Sequence, residues 1–101
     1  MREVIAMRVR VGEAPAIKVI GRVAWTLNEL LLAGEEGVTT LGNSALRWSD
    51  YVFKLRKKGI VIETIDEKHG GPFSGTHGRY VLRSAVDVLD VTRQGDLRDA
   101  A

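Results

Sequence analysis

An α+β fold is predicted for this 101-residue chain, and three observations lead to it. Residues 3–11 alternate at a period of two, with Ile5, Met7, Val9 and Val11 on one side and Val4, Ala6, Arg8 and Arg10 on the other. Two later stretches, starting near Ile17 and Ser44, carry apolar residues at helical spacing. Two β-rich runs, Ile60–Ile65 and Arg79–Arg83, then flank a glycine-rich segment. A cationic helix followed at once by a two-stranded ribbon is the second half of a winged helix-turn-helix. The predicted architecture is therefore a three-helix core with a β-hairpin wing, plus an N-terminal β-strand.

The elements follow in order. The alternating strand ends at Gly12, and Arg8 and Arg10 suit a charged edge strand; the strand could extend the small sheet or pair with a second copy. Ala14-Pro15 is expected to open the first helix, since proline fits a first turn whose N–H has no partner. Its apolar face would be Ile17, Ile20, Val23, Ala24, Leu27, Leu30 and Leu31, extended by Trp25, with Gly34 and Gly37 as its stop. Residues 38–43 leave room for an abbreviated second helix, or for a short strand at Val38. Asn43-Ser44 offers N-cap chemistry for a third helix over 44–58, stopped by Gly59. Ala45, Leu46, Trp48, Val52, Phe53 and Leu55 form its apolar half; Arg47, Asp50, Tyr51, Lys54, Lys57 and Lys58 form the other. Arg56 falls within the apolar arc, where it must snorkel or pair with a carboxylate. Residues 66–78 read as a loop between the strands. The domain division is thus an N-terminal strand and linker (1–15), a winged helix-turn-helix (16–83) and a partly ordered C-terminal tail (84–101).

Composition bounds the function classes. Hydrophobic residues make up 45% and charged residues 28%, as in soluble globular chains rather than disordered ones. The net charge is only +2, but it is unevenly placed: residues 44–83 hold eight basic and four acidic side chains, while residues 84–101 hold two and four. Cysteine is absent, which excludes disulfides and thiolate zinc sites and fits a reducing cytoplasm. No apolar run is long enough to span a bilayer, and the N-terminus lacks a secretory signal's apolar core.

The segment W-S-D-Y-V-F-K-L-R-K-K-G-I-V-I-E-T, with G-R-Y-V-L after it, resembles a family of small bacterial and phage winged-helix proteins. The matching residues are Leu55, Arg56, Lys57, Gly59, Ile62, Thr64, Tyr80 and Leu82, and the resemblance covers about residues 16–83. It implies a DNA-binding helix-turn-helix protein. The short second helix and the long glycine-rich wing depart from the family's pattern, which bears on how the third helix would dock.

Duplex DNA is accordingly the expected partner, and transcriptional regulation the expected role. The start of the third helix would reach base edges, with Arg47 suited to guanine and Asn43 to adenine. Ser44 could donate to a phosphate. Lys54, Lys57 and Lys58 would hold phosphates, giving affinity rather than specificity, with Tyr51 on the same face. Lys68, His77 and Arg79 on the wing could reach the backbone or minor groove. The bland alternative is a solvated lysine face. A different function remains open: a protein-interaction module that binds or inhibits a host protein, with Trp25, Trp48, Tyr51 and Phe73 as anchors, although core packing is the simpler role for both tryptophans. A homodimer through the N-terminal strand or the C-terminal tail is a further expectation.

No catalytic set of nucleophile, base and orienting group is visible, so no enzyme is expected. His69 and His77 lie near Asp66 and Glu67 but at no metal-motif spacing. Residues 70–76 lack the Lys-Ser/Thr ending of a phosphate loop. Neither a metal nor a cofactor is expected.

Overall fold

The computed structural model describes residues 3–39, 47–69 and 75–95, with backbone only at 68, 69 and 75–77. In chain order the described elements are β1 (Val4–Val11), β2 (Ile17–Ile20), α1 (Gly21–Ala33), a single 3-10 turn (Gly34–Glu36), β3 (Val38–Thr39), α2 (Trp48–Lys57), β4 (Ile62–His69), β5 (Gly75–Leu82) and β6 (Val86–Arg93). They form two antiparallel three-stranded sheets, ordered β2-β1-β6 and β3-β5-β4.

The first sheet holds the expected N-terminal strand, but in a different position and with two further strands. β1 is its middle strand, not an edge: β2 pairs on one side and β6 on the other. Arg8 therefore does not blunt an edge; it reaches across to Asp90 of β6 at 2.7 Å. A homodimer built on an exposed edge of the N-terminal strand is not available, because both edges of β1 are taken. Met7 and Val9 are buried as the alternation requires, and Val4 joins them because the pairing shifts by one residue between Val4 and Ala6.

Ile17–Ile20 is a strand rather than the first turn of a helix. I-K-V-I satisfies both periods, and pairing decides between them: Val9 faces Ile17 and Met7 faces Val19 across the ladder. The chain then breaks at Gly21, whose φ of +67° few other residues adopt, and α1 starts there. Ala24, Leu27 and Leu30 are buried as expected, whereas Ile20, now ahead of the helix, is 65% exposed. Thr26 is also fully buried; its hydroxyl donates to the Arg22 carbonyl at 2.8 Å and so is satisfied within the helix.

The second helix expected within 38–43 is not seen among the described residues. Val38–Thr39 forms the short strand β3 on β5, and residues 40–46 lie outside the described part, with Asn43, Ser44, Ala45 and Leu46 among them. Two α-helices, not three, are described. The wing also differs. Residues 66–69 and 75–78, expected in a loop, are strand, and the ladder runs from Ile62↔Leu82 out to His69↔Gly75. Their sequence, with glycine and charged residues, disfavours a core strand, but backbone pairing carries the ribbon through it. Only residues 70–74, Phe73 included, lie beyond that ladder, and they are outside the described part.

The tail contributes an eight-residue strand, β6, along the length of β1. One core unites the pieces: Val4, Met7, Val9 and Val19 from the first sheet, Ala24, Leu27 and Leu30 from α1, Trp48, Val52 and Leu55 from α2, and Ile60 and Ile62 leading into β4. No described helix is long and apolar enough to cross a membrane.

Candidate nucleic-acid interface

α2 forms because W-S-D-Y-V-F-K-L-R-K turns Trp48, Val52 and Leu55 onto α1 and β5, leaving the other face outside. Trp48 anchors it. Its ring lies 5.6 Å from Trp25 and stacks on Tyr80 of β5 at 6.4 Å, so one side chain ties both helices to the wing. Trp48 Nε1 finds no hydrogen-bond partner among the described residues.

The C-terminal end of α2 is fixed to the ribbon by Arg56. Its Nε donates to the Ile62 carbonyl at 3.1 Å, and its Nη2 donates to that carbonyl and to Thr64 Oγ1 at 2.9 Å. This resolves the arginine in the apolar arc: among the described residues it meets no carboxylate, and it joins the helix to β4 rather than merely snorkelling. At the other edge of the ribbon, Arg79 donates to Glu67 Oε1 at 2.9 Å and to the Glu36 carbonyl at 2.7 Å. Arg79 thus holds β5 to β4 and to the turn after α1, and its guanidinium is already engaged within the chain.

The remaining expected contacts separate clearly. Arg47 stands exposed at the start of α2, where its carbonyl accepts from the Asp50 and Tyr51 amides at 3.1 Å each. Lys54, Lys57 and Lys58 are exposed along the last turns. Lys54 shares its charge with Asp50 one turn earlier, at 3.3 Å, a solvent-exposed pair of small energetic consequence. Lys57 and Lys58 have no carboxylate partner among the described residues. Lys57 instead lies over the Phe53 ring at 5.1 Å. Phe53 was expected on the apolar half but is 56% exposed, and Tyr51, expected outside, is half-buried. The apolar arc of α2 is narrower than its composition suggests. Asn43 and Ser44 fall outside the described residues. Lys68 and His77 are placed by backbone alone, opposite Thr76 and Glu67 in the outer ribbon.

The positive end of α2 extends further than the sequence showed. Lys18 of β2 lines one cavity with Lys54, Lys57 and Lys58, so lysines from two distant segments border one surface. Lys18 lay in a stretch expected to be helix; reading I-K-V-I as a strand was the signal that could have placed it there. Among the described residues no three histidine, aspartate or glutamate side chains converge as metal ligands; the side chains of His69 and His77 lie outside that set.

A family comparison bears on this helix and ribbon. The family model described as "Winged helix domain" matches residues 16–92, most of the chain. The chain belongs to the winged helix domain family. The match runs past Leu82 and through most of β6, so the last strand lies within the span of this winged helix domain. No curated protein and no solved structure matches the chain.

Proposed function

We propose that this winged helix domain binds duplex DNA, with α2 as the groove-facing helix and the β4–β5 ribbon as the wing. Membership of the winged helix family supports nucleic-acid binding in general terms. The observation that carries the duplex proposal is the exposed cationic face of α2 directly beside the ribbon, where Lys57 and Lys58 have no carboxylate partner among the described residues. Basic side chains at a helix C-terminus are also favoured by the helix dipole, so their presence alone would mean little. Their convergence with Lys18 from another strand is not explained by the dipole of α2. In this proposal Arg47 reaches base edges, Lys54, Lys57, Lys58 and Lys18 neutralise phosphates, and Arg79 positions the wing rather than touching DNA. The role is that of a cytoplasmic transcriptional regulator that binds and does not catalyse.

The test is fluorescence anisotropy of a labelled mixed-sequence duplex at low salt. Wild type is expected to bind, Lys54→Ala/Lys57→Ala to bind at least about tenfold more weakly, since each phosphate contact carries electrostatic affinity, and Arg83→Ala, whose partner is Glu63 at 2.8 Å, to bind like wild type. Absence of binding by wild type at low salt contradicts the proposal. The alternative, capture of a host protein, loses one of its anchors: Trp48 is 3% exposed and belongs to the core. Phe53, exposed on α2, would be the anchor for such a partner, and co-purification abolished by Phe53→Ala would favour it.

A further inference from the structure

A cavity of about 620 Å³ lies between β2, the first turn of α1 and the end of α2. That is within the range of about 300–1,000 Å³ in which small-molecule sites fall. The open apolar surface of its floor is Ile20, with half-buried Val23 beside it; Val19 lines it from the core and is itself buried. Its rim is cationic: Lys18 from one side and Lys54, Lys57 and Lys58 from the other. Ile20 is the telling residue. It is a large aliphatic side chain left 65% exposed in a cavity lined by four lysines. A phosphate backbone would use the rim but gain nothing from that floor, because apolar surface is stabilised only by apolar contact.

We propose that this groove binds a small anionic amphiphile: a single aliphatic chain seated on Ile20 and the edge of Val23, with a carboxylate head held by the lysines. Charge complementarity selects an anion, since Lys18, Lys57 and Lys58 have no carboxylate partner among the described residues. The exposed Ile20 side chain selects an alkyl chain. The lysine stems can themselves line the chain while their heads reach the carboxylate. Lys54 and Lys57 also belong to the proposed DNA face, so the bound ligand lowers duplex affinity. This second consequence rests on the duplex proposal; the site itself does not.

The experiment titrates the ¹⁵N-labelled full chain with decanoate, below its aggregation concentration and without DNA, following amide shifts. Saturable shifts confined to residues 18–23 and 54–58 are expected. Ile20→Asp should weaken binding at least about tenfold, consistent with several methylenes losing their apolar seat. Because Ile20 is already exposed, this variant should keep the wild-type spectrum elsewhere. Decanol, with a similar chain and no charge, should also bind at least about tenfold more weakly, by loss of the ion pairs. Absence of localised shifts overturns the site, as does decanol binding as tightly as decanoate. Binding only to anionic lipid vesicles, or only to an acidic peptide, overturns it equally. A second arm repeats the duplex anisotropy with decanoate present. Unchanged affinity for a duplex that does bind overturns the competition. Groove shifts in a chain that binds no duplex uphold the site while the DNA proposal fails.

Discussion

At position 37 a methyl group has nowhere to go. A Cβ on Gly37 would lie 2.5 Å from the Tyr80 carbonyl oxygen and 2.7 Å from Val81 Cγ2, on a backbone held at φ +72°. Backbone cannot step aside cheaply, and the positive φ adds its own cost. Gly37→Ala is expected to destabilise the fold by about 2 kcal/mol or more, measured by urea unfolding; a change below about 0.5 kcal/mol would mean that the turn does not press on β5 as described. Trp48 poses the opposite case, a large ring whose N–H has no partner among the described residues. Trp48→Phe removes that donor while keeping most of the stacking on Tyr80, so its cost should stay near 1 kcal/mol, against about 3–5 kcal/mol for Trp48→Ala. Similar costs for the two substitutions would show that the indole N–H is satisfied after all. The importance of Gly37 could be suspected from its place after a helix, but not its contact with β5, which depends on a strand more than forty positions away.

Two arginines work at the scale of elements. Arg56 joins α2 to β4, and Arg79 joins β5 to β4 and to the turn after α1. Each is expected to contribute about 1–2 kcal/mol through hydrogen bonds that are only partly shielded from water. The consequences differ by place. Arg79→Ala should speed amide exchange in β5 and β3 while leaving α2 protected; uniform loss of protection would mean that the wing does not open separately. The helix–ribbon unit was legible in the sequence because periodicity and turn residues there agree: Val52 and Leu55 face inward, Gly59 follows the helix, and Ile62 starts a strand. Ile17–Ile20 was not, because four residues with apolar ends fit both a strand and a helix face. The ribbon's outer half was missed because D-E-K-H opposite G-T-H-G holds a single strand-forming residue, Thr76, among charged residues and glycines, and only backbone pairing makes it a strand. In the candidate interface, Lys54, Lys57 and Lys58 could be read directly from helical spacing. Lys18 could not, since its approach depends on how β2 packs.

For the whole molecule, β6 changes what counts as the domain. The apparent tail covers β1 from Val4 to Val11, with cross-strand pairs such as Val9 with Val88 and Arg8 with Asp90. Its apolar residues are spaced unevenly because the pairing shifts between Arg8 and Val9, which hid the strand from a test for strict alternation. The family match through residue 92 agrees that this strand is integral. Deleting residues 84–101 should expose one edge of β1 and lower the midpoint of thermal unfolding by at least about 10 °C, 1 kcal/mol being worth about 4–8 °C for a domain of this size. A truncated chain with an unchanged midpoint would return β6 to the status of a tail. Assembled, the two sheets flank a helix pair that turns one cationic face outward beside a ribbon, and the central claim is that this face meets a polyanion. The most direct test is the slope of log affinity against log salt for duplex binding, in wild type and in Lys54→Ala/Lys57→Ala. Wild type is expected to show a steep slope, and the double variant a slope flatter by about two, one for each lysine removed from a phosphate. A slope that is equally steep in both proteins would contradict it, because the polyanion would then be held somewhere other than α2.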